Sequence, residues 1–551
     1  MTAGTTTAPS SADRLTRILE ATASGPMSGF LRTQRWFSTD GRPVARITLR
    51  DHALIEPASA TRPAYVLALF DVAREEGEAS RAKDAGARET YAIPLVVGTG
   101  GAGDADSVIG EVTLEGAPIT VADALADERY ARALLAAIAR ASTFPTARGG
   151  AVVATRAASM LGHIGGGAIE AIPVRFLRAS GEASAIVFCP AGQDRVVLES
   201  ARRLDDAAAV EVELAGALHR AGFTGAPPLL GDLAYLAPKA ALSAPITLAI
   251  AREHVPYVSD GWGHALADLH AVLSSSLRSS RKSKPTTRAS SQPPRVPHAA
   301  TARQLGALTA AMHHALASER HDAAFAPEPF TERHLAKMIE RVIERVNDAL
   351  EAARPLSELP AEVRSSLAEL EARATRLDAQ LAALPSPKGM LSSRVRGDHQ
   401  LRRVLRTDRG WAIVDLEGAR AHALGDVRRA KVPPVADVAT MLRSYDYAAS
   451  FAAQEALAAE PQPPTADVRA EVARLAEAWR DAARASFVDG YAESAGATLM
   501  PAEEGARRRW IALHELDVAL QELAFELRHR PEWVAVPLRA TLRALTDALA
   551  A

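Results

Sequence analysis

Apolar residues recur along this chain in two rhythms, and the change of rhythm divides it. In the first half, short runs rich in β-branched and aromatic residues stand between polar or Gly/Pro-bounded breaks, at residues 44–49, 65–72, 90–97, 172–177, 185–188, 195–198 and 246–255. Runs of this kind predict strands. Residues 13–34, 121–141 and 205–221 carry helical spacing, and residues 108–112 are short enough for one more strand. From residue 260 onward the spacing is helical, at 302–316, 331–353, 360–384 and from 435 to the end. A strand–turn–strand unit at 393–416 and a Pro-bounded break at 531–537 interrupt it.

These rhythms predict an α+β protein in several parts. A small polar tail covers 1–12, a strand-rich cap 13–97, and an intermediate segment with a small lobe 98–260. A mostly helical large lobe covers 261–551. Within it, residues 274–297 are rich in Ser, Pro, Lys and Arg without periodic apolar positions, so a disordered loop is expected there. Three strands, a helix and further strands are what the small lobe of a kinase requires, although many α+β domains share that order.

The length of 551 residues exceeds what one hydrophobic core serves. A net charge of −2 gives no footing for a nucleic-acid partner. The one cysteine, Cys189, cannot form an internal disulfide and follows an apolar run, so it reads as a buried thiol. The first residues lack the charged start and apolar stretch of a secretory signal. No apolar run approaches the roughly 20 residues that span a bilayer. A cytoplasmic protein without a membrane partner is expected.

The chemistry concentrates in Arg394-Val395-Arg396-Gly397-Asp398 and in Trp411-Ala412-Ile413-Val414-Asp415-Leu416-Glu417-Gly418. Two carboxylates 17 residues apart lie at the edges of apolar strands. Such a pair suits phosphoryl transfer, one orienting the attacking hydroxyl and taking its proton, the other holding a metal that bridges phosphates. The block Asp437-Val438-Ala439-Thr440-Met441-Leu442-Arg443-Ser444-Tyr445-Asp446-Tyr447-Ala448 follows.

These three blocks resemble those of maltokinases, which read His-Gly-Asp-Leu-His-Leu-Gly-Gln-Val-Leu, then Asp-Phe-Glu-Gly, then Asp-Val-Ala-Gly-Met-Leu-Arg-Ser-Phe-Asp-Tyr-Ala. Gln34-Arg35-Trp36-Phe37 resembles the family's N-terminal signature, and Glu515-Leu516-Asp517, Glu522 and Arg530-Pro531-Glu532-Trp533 resemble its closing helices. The resemblance implies a bilobal protein-kinase-like fold with a cap subdomain, related to aminoglycoside phosphotransferases. It further implies transfer of the γ-phosphate of ATP, with Mg2+, to maltose, giving maltose 1-phosphate for α-glucan synthesis, often beside trehalose synthase as a partner. By position, Asp398 is the implied base and Asp415 the magnesium ligand. Glu213 is the implied small-lobe helix glutamate, and residues 252–255, with His254 and Val255, the implied nucleotide hinge. Asp446 and Tyr447 are the implied sugar contacts.

The departures bear on activity. The family's phosphate-gripping lysine is Glu199 here, and no lysine lies between Lys83 and Lys239. Glu199 would face Glu213, carboxylate against carboxylate. The family's amide metal ligand is Arg403, a donor-only cation. Arg396 and Gln400 replace the two motif histidines, and Glu182-Ala183-Ser184-Ala185 replaces a polar loop. Arg396 and Arg403 are the candidates to offset phosphate charge instead. Three readings stay open: an active maltokinase, a catalytically impaired pseudokinase that binds a sugar or a trehalose-synthase-type partner, and a kinase for another sugar such as an amino sugar. His399 reads as a surface loop residue, and His313 and His314 as packing or solvated residues rather than metal ligands.

Overall fold

In a computed structural model the chain is described at residues 11–34, 36–37, 43–75, 89–99, 107–177, 183–204, 207–238, 244–282, 298–356, 358–382, 384, 386–387, 389–416, 428–460 and 462–549. It divides into two compact units, residues 1–213 with 227–256, and residues 214–226 with 257–551.

The first unit opens with α1 (Ser11–Ser24) and α2 (Met27–Thr33), where the sequence reading has one helix and a longer tail. β1 (Val44–Glu56), β2 (Ala64–Arg74), β3 (Glu89–Gly98), β4 (Val108–Leu114) and β5 (Ala117–Asp123) form one antiparallel sheet in the order β1-β2-β3-β5-β4. The cap sheet therefore runs to Asp123 rather than ending at residue 97. Its central strands read as unbroken apolar runs because both faces are buried. Along β2, Val66, Ala68, Phe70 and Val72 pack under α1 and α2, while Tyr65, Leu67 and Leu69 join the core on the other side.

The helix expected at 121–141 starts later, as α3 (Glu128–Arg140), because β5 occupies its first residues. Asp127 caps α3 by accepting hydrogen bonds from Arg129 N and Tyr130 N, at 2.8 and 3.2 Å. β6 (Thr143–Pro145), β7 (Ala151–Arg156), α4 (Met160–Ile164), β8 (Val174–Leu177), β9 (Ala183–Phe188), β10 (Val196–Ala201), α5 (Ala207–Arg220), β11 (Leu229–Leu236) and β12 (Ile246–Glu253) follow, α5 straddling the unit boundary. The second sheet has the order β6-β7-β11-β12-β10-β9-β8. Cys189 is half-buried and donates to Asp194 at 3.0 Å, so it is not the enclosed core thiol expected.

The second unit is largely helical. β13 (Ser259–Asp260) precedes α6 (Gly261–Lys282) and α7 (His298–Ser318). α6 runs past residue 274, where a disordered loop was expected to begin; 283–297 lie outside the described residues. β14 (Glu328–Pro329), α8 (Glu332–Ala353), α9 (Ala361–Ala382), β15 (Leu391–Ser392), β16 (Val404–Thr407) and β17 (Gly410–Ile413) lead to α10 (Val435–Ala458), α11 (Ala466–Leu499), α12 (Glu504–His529) and α13 (Ala535–Ala548). β16 and β17 form a hairpin that β13 extends, which sets where the chemistry-bearing loops leave the unit. α7 crosses α11 through Gly306 and Gly490, whose backbones approach the opposite helix too closely for any side chain. Among the described residues, no helix is long and apolar enough to cross a membrane.

Candidate functional site

Asp398 lies in the loop between β15 and β16, and Asp415 two residues beyond β17. Both adopt the left-handed backbone conformation, with φ of 47° and 52°. Non-glycine residues avoid that region, and observed strain of this kind concentrates at functional positions. Two devices hold the loops. Asp437, near the start of α10 and almost fully buried, accepts Arg396 N and Gly397 N, each at 2.9 Å. His313 of α7 bonds the same carboxylate at 3.0 Å and Tyr491 Oη at 2.9 Å. Burial opposes ionisation of Asp437, but the His313 hydrogen bond and the neighbouring His399 and Arg396 outweigh it and hold the carboxyl below its ordinary range.

The second device is Arg396. Its guanidinium, enclosed by the protein, donates to the carbonyls of Gly397 and Asp398 at 2.6 Å, of Val414 at 3.3 Å, and of Asp415. Arg396 is thereby spent on backbone and does not face a ligand, which removes one of the two arginines expected to offset phosphate charge. Gln400 donates to Asp398 Oδ1 at 2.8 Å, so an amide orients the implied base. Arg403 Nη1 meets Asp415 Oδ2 at 2.5 Å. His399 is fully buried against Thr309 Oγ1 at 3.0 Å, not a surface residue, and burial pushes its pKa down to about 3. His313 is likewise interior, with both ring nitrogens bonded.

Asp446 and Tyr447 do not join this group. Asp446 is enclosed by arginines: Arg443, Arg543 at 2.7 Å, Arg484 at 3.3 Å and Arg480 at 3.7 Å. Glu515 shares Arg484 and Arg543 with it. Tyr447 donates to Glu526 Oε1 at 2.9 Å. Both residues tie α10 to α11, α12 and α13, while Asp437 and Ser444 are the α10 residues that reach the Asp398 loop, Ser444 accepting Leu401 N at 3.3 Å. Sequence reasoning passed over Ser444 and Asp437, although Asp437 opens the third motif block.

In the first unit, Glu199 on β10 pairs with Arg252 on the neighbouring β12, and Arg252 also donates to Glu211 of α5 at 2.7 Å. Glu211 is thus a helix carboxylate that reaches the sheet. The expected clash between Glu199 and a helix glutamate is averted by a guanidinium between them. His254 donates its backbone N–H to Arg195 O at 2.9 Å, its ring lies 3.9 Å from Asp194, and Val255 is half-buried beyond β12. Nothing in these contacts assigns either to a nucleotide.

Residues 30–127 match the maltokinase N-terminal cap domain. A glucosamine kinase from Streptacidiphilus jiangxiensis is 27% identical over 321 residues, which make up 58% of this chain and 62% of that relative. The crystal form A structure of a glucosamine kinase aligns with 95% of this chain and 97% of its own, at 22% identity and a TM-score of 0.57. A glucosamine kinase in complex with glucosamine, ADP and inorganic phosphate aligns with 95% and 98%, at 21% identity and a TM-score of 0.58. Residues 30–127 are thus similar to a maltokinase cap, and the chain is similar in sequence to a glucosamine kinase. The two structural likenesses show the glucosamine kinase fold across nearly the whole length of the chain.

Magnesium is what the maltokinase-like pattern implies at Asp415, and the residues present do not fit it. Arg403 takes the carboxylate and offers only donors where an oxygen ligand is needed. A dication about 4 Å from that guanidinium would be repelled by on the order of 8 kcal/mol at an effective dielectric of about 20. Among the described residues, no three His, Cys, Asp or Glu side chains come together as a metal site. Glu417 and Gly418, which complete that maltokinase-like block, lie outside the described residues, as does Glu182 of the replaced loop.

Proposed function

We propose that this protein is an ATP-dependent sugar kinase acting on an amino sugar, with Asp398 as the base. The observation that carries the reading is Asp398 itself. It is kept in a strained left-handed conformation, oriented by Gln400 and fixed through Asp437, an arrangement that a hairpin end without chemistry does not need. In the proposed reaction the Asp398 carboxylate takes the proton of the sugar hydroxyl. The freed oxygen forms a bond to the γ-phosphorus, and the bond from that phosphorus to the leaving ADP breaks. The amino-sugar acceptor is supported by the glucosamine kinases similar to this chain, and maltose is the alternative that the cap domain supports.

A second reading, a catalytically impaired pseudokinase, is favoured by the Arg403–Asp415 pair and by the closed Glu199–Arg252–Glu211 triad. One assay separates the two: purified protein with ATP and glucosamine or maltose, with magnesium or with a chelator, read by mass spectrometry for phosphorylated sugar. The kinase reading expects product, reduced about 10²- to 10⁴-fold by Asp398→Asn. Absence of product with every sugar and either metal condition establishes the pseudokinase reading instead.

A further inference from the structure

We propose that Arg403 is a tethered cation that replaces the divalent metal at Asp415, so that this site excludes metal ions and meets phosphate with a guanidinium. The phosphate half rests on the sugar-kinase reading; the metal half does not.

Three observations carry it. First, the contact is direct: Arg403 Nη1 lies 2.5 Å from Asp415 Oδ2, the carboxylate that would otherwise bind metal. Second, the guanidinium is held in place. The Arg403 backbone is fixed in the turn before β16, where Arg403 N donates to Gln400 O at 2.8 Å, and against the chain after β17, where Val414 N donates to Arg403 O at 3.0 Å. The strand that delivers Asp415 thus positions Arg403 too. Third, the side chains are not sealed off. Arg403 is 10% and Asp415 31% exposed, whereas Arg396 beside them is closed in and spent on four carbonyls. Of the two arginines, Arg403 is the one that keeps some side-chain surface exposed beside the carboxylate. A guanidinium is planar and always charged, and it binds phosphate oxygens in pairs, so it supplies the charge a metal would supply without needing an octahedral shell of oxygens.

The test is a titration of the full chain with Mn2+ followed by electron paramagnetic resonance, with ATP binding measured separately by calorimetry in EDTA. The wild-type protein is expected to leave Mn2+ free. Arg403→Gln, which restores an amide beside Asp415, is expected to gain a saturable Mn2+ site at least about tenfold tighter than anything in the wild type, and Arg403→Lys is expected to gain none. A saturable site in the wild type that Asp415→Asn removes would overturn the proposal. So would an Arg403→Gln protein that folds like the wild type, by circular dichroism, yet binds no Mn2+. In EDTA, the wild type is expected to bind ATP and Arg403→Gln to bind it at least about tenfold more weakly. Equal binding by the two overturns the phosphate half. No ATP binding by the wild type with or without magnesium overturns the sugar-kinase reading and the phosphate half with it, while the Mn2+ result still decides the metal half.

Discussion

The residue that most other site residues depend on is Asp437, which touches no reactive position. It satisfies two N–H groups of the Asp398 loop and one nitrogen of His313, all away from water. Asp437→Ala would strand these donors together with a buried charge network, a loss of about 3–5 kcal/mol. Urea unfolding monitored by tryptophan fluorescence measures it, and a change below about 1 kcal/mol would contradict the role. Little of this was legible beforehand. Asp398 and Asp415 stand out in sequence because their surroundings match a recognisable pattern. The burial of His399 does not, since Thr309, its partner, is 90 residues away.

At the scale of elements, helix placement was more readable than strand placement. Amphipathic helices such as α8 show a polar face that fixes their period. The central strands β2, β3 and β12 are buried on both faces and lack alternation, so they were readable only as short β-branched apolar runs, whereas β6, β7 and β11 went unread. β5 went unrecognised because its apolar residues run straight toward α3, separated only by the Asp127 cap. The α7–α11 crossing is a sharper case. A Cβ at Gly306 would lie 2.1 Å from Phe487 O, and one at Gly490 2.0 Å from Arg303 O. Neither contact is with a flexible side-chain end, so the helices must separate. Gly306→Ala and Gly490→Ala should each cost about 1–3 kcal/mol or more despite their better helix propensity. The check is the thermal midpoint, which falls if the crossing is as tight as described and rises if propensity dominates.

For the molecule as a whole, acid stability follows from interior histidines of the helical unit. Burial pushes His298 and His399 down to about 3 and His514 down to about 4. Unfolding returns each to about 6.5, so between these values the unfolded chain binds more protons than the folded one. Stability from these groups is complete above about pH 6.5 and is lost as the pH falls toward 4. Each group costs on the order of 1–2 kcal/mol by pH 5. Glu522 works the other way: burial pushes it up to about 7 against the pull of Arg443, but it is one group, and a quarter exposed. Far-UV circular dichroism melts at pH 7 and pH 5 should therefore show a lower midpoint at pH 5. An equal or higher midpoint there would mean these rings charge without unfolding.

Arg396 has a mechanical consequence. Two loops that are separate in sequence hang from a single bracket, because one side chain grips the carbonyls of both. Tilting one loop drags the other, so Asp398 and Asp415 keep their spacing. A histidine, with two ring nitrogens, has too few hands to make that joint. In this chain the relative position of the two loops is set by a hinge pin that is in place as soon as the protein has folded.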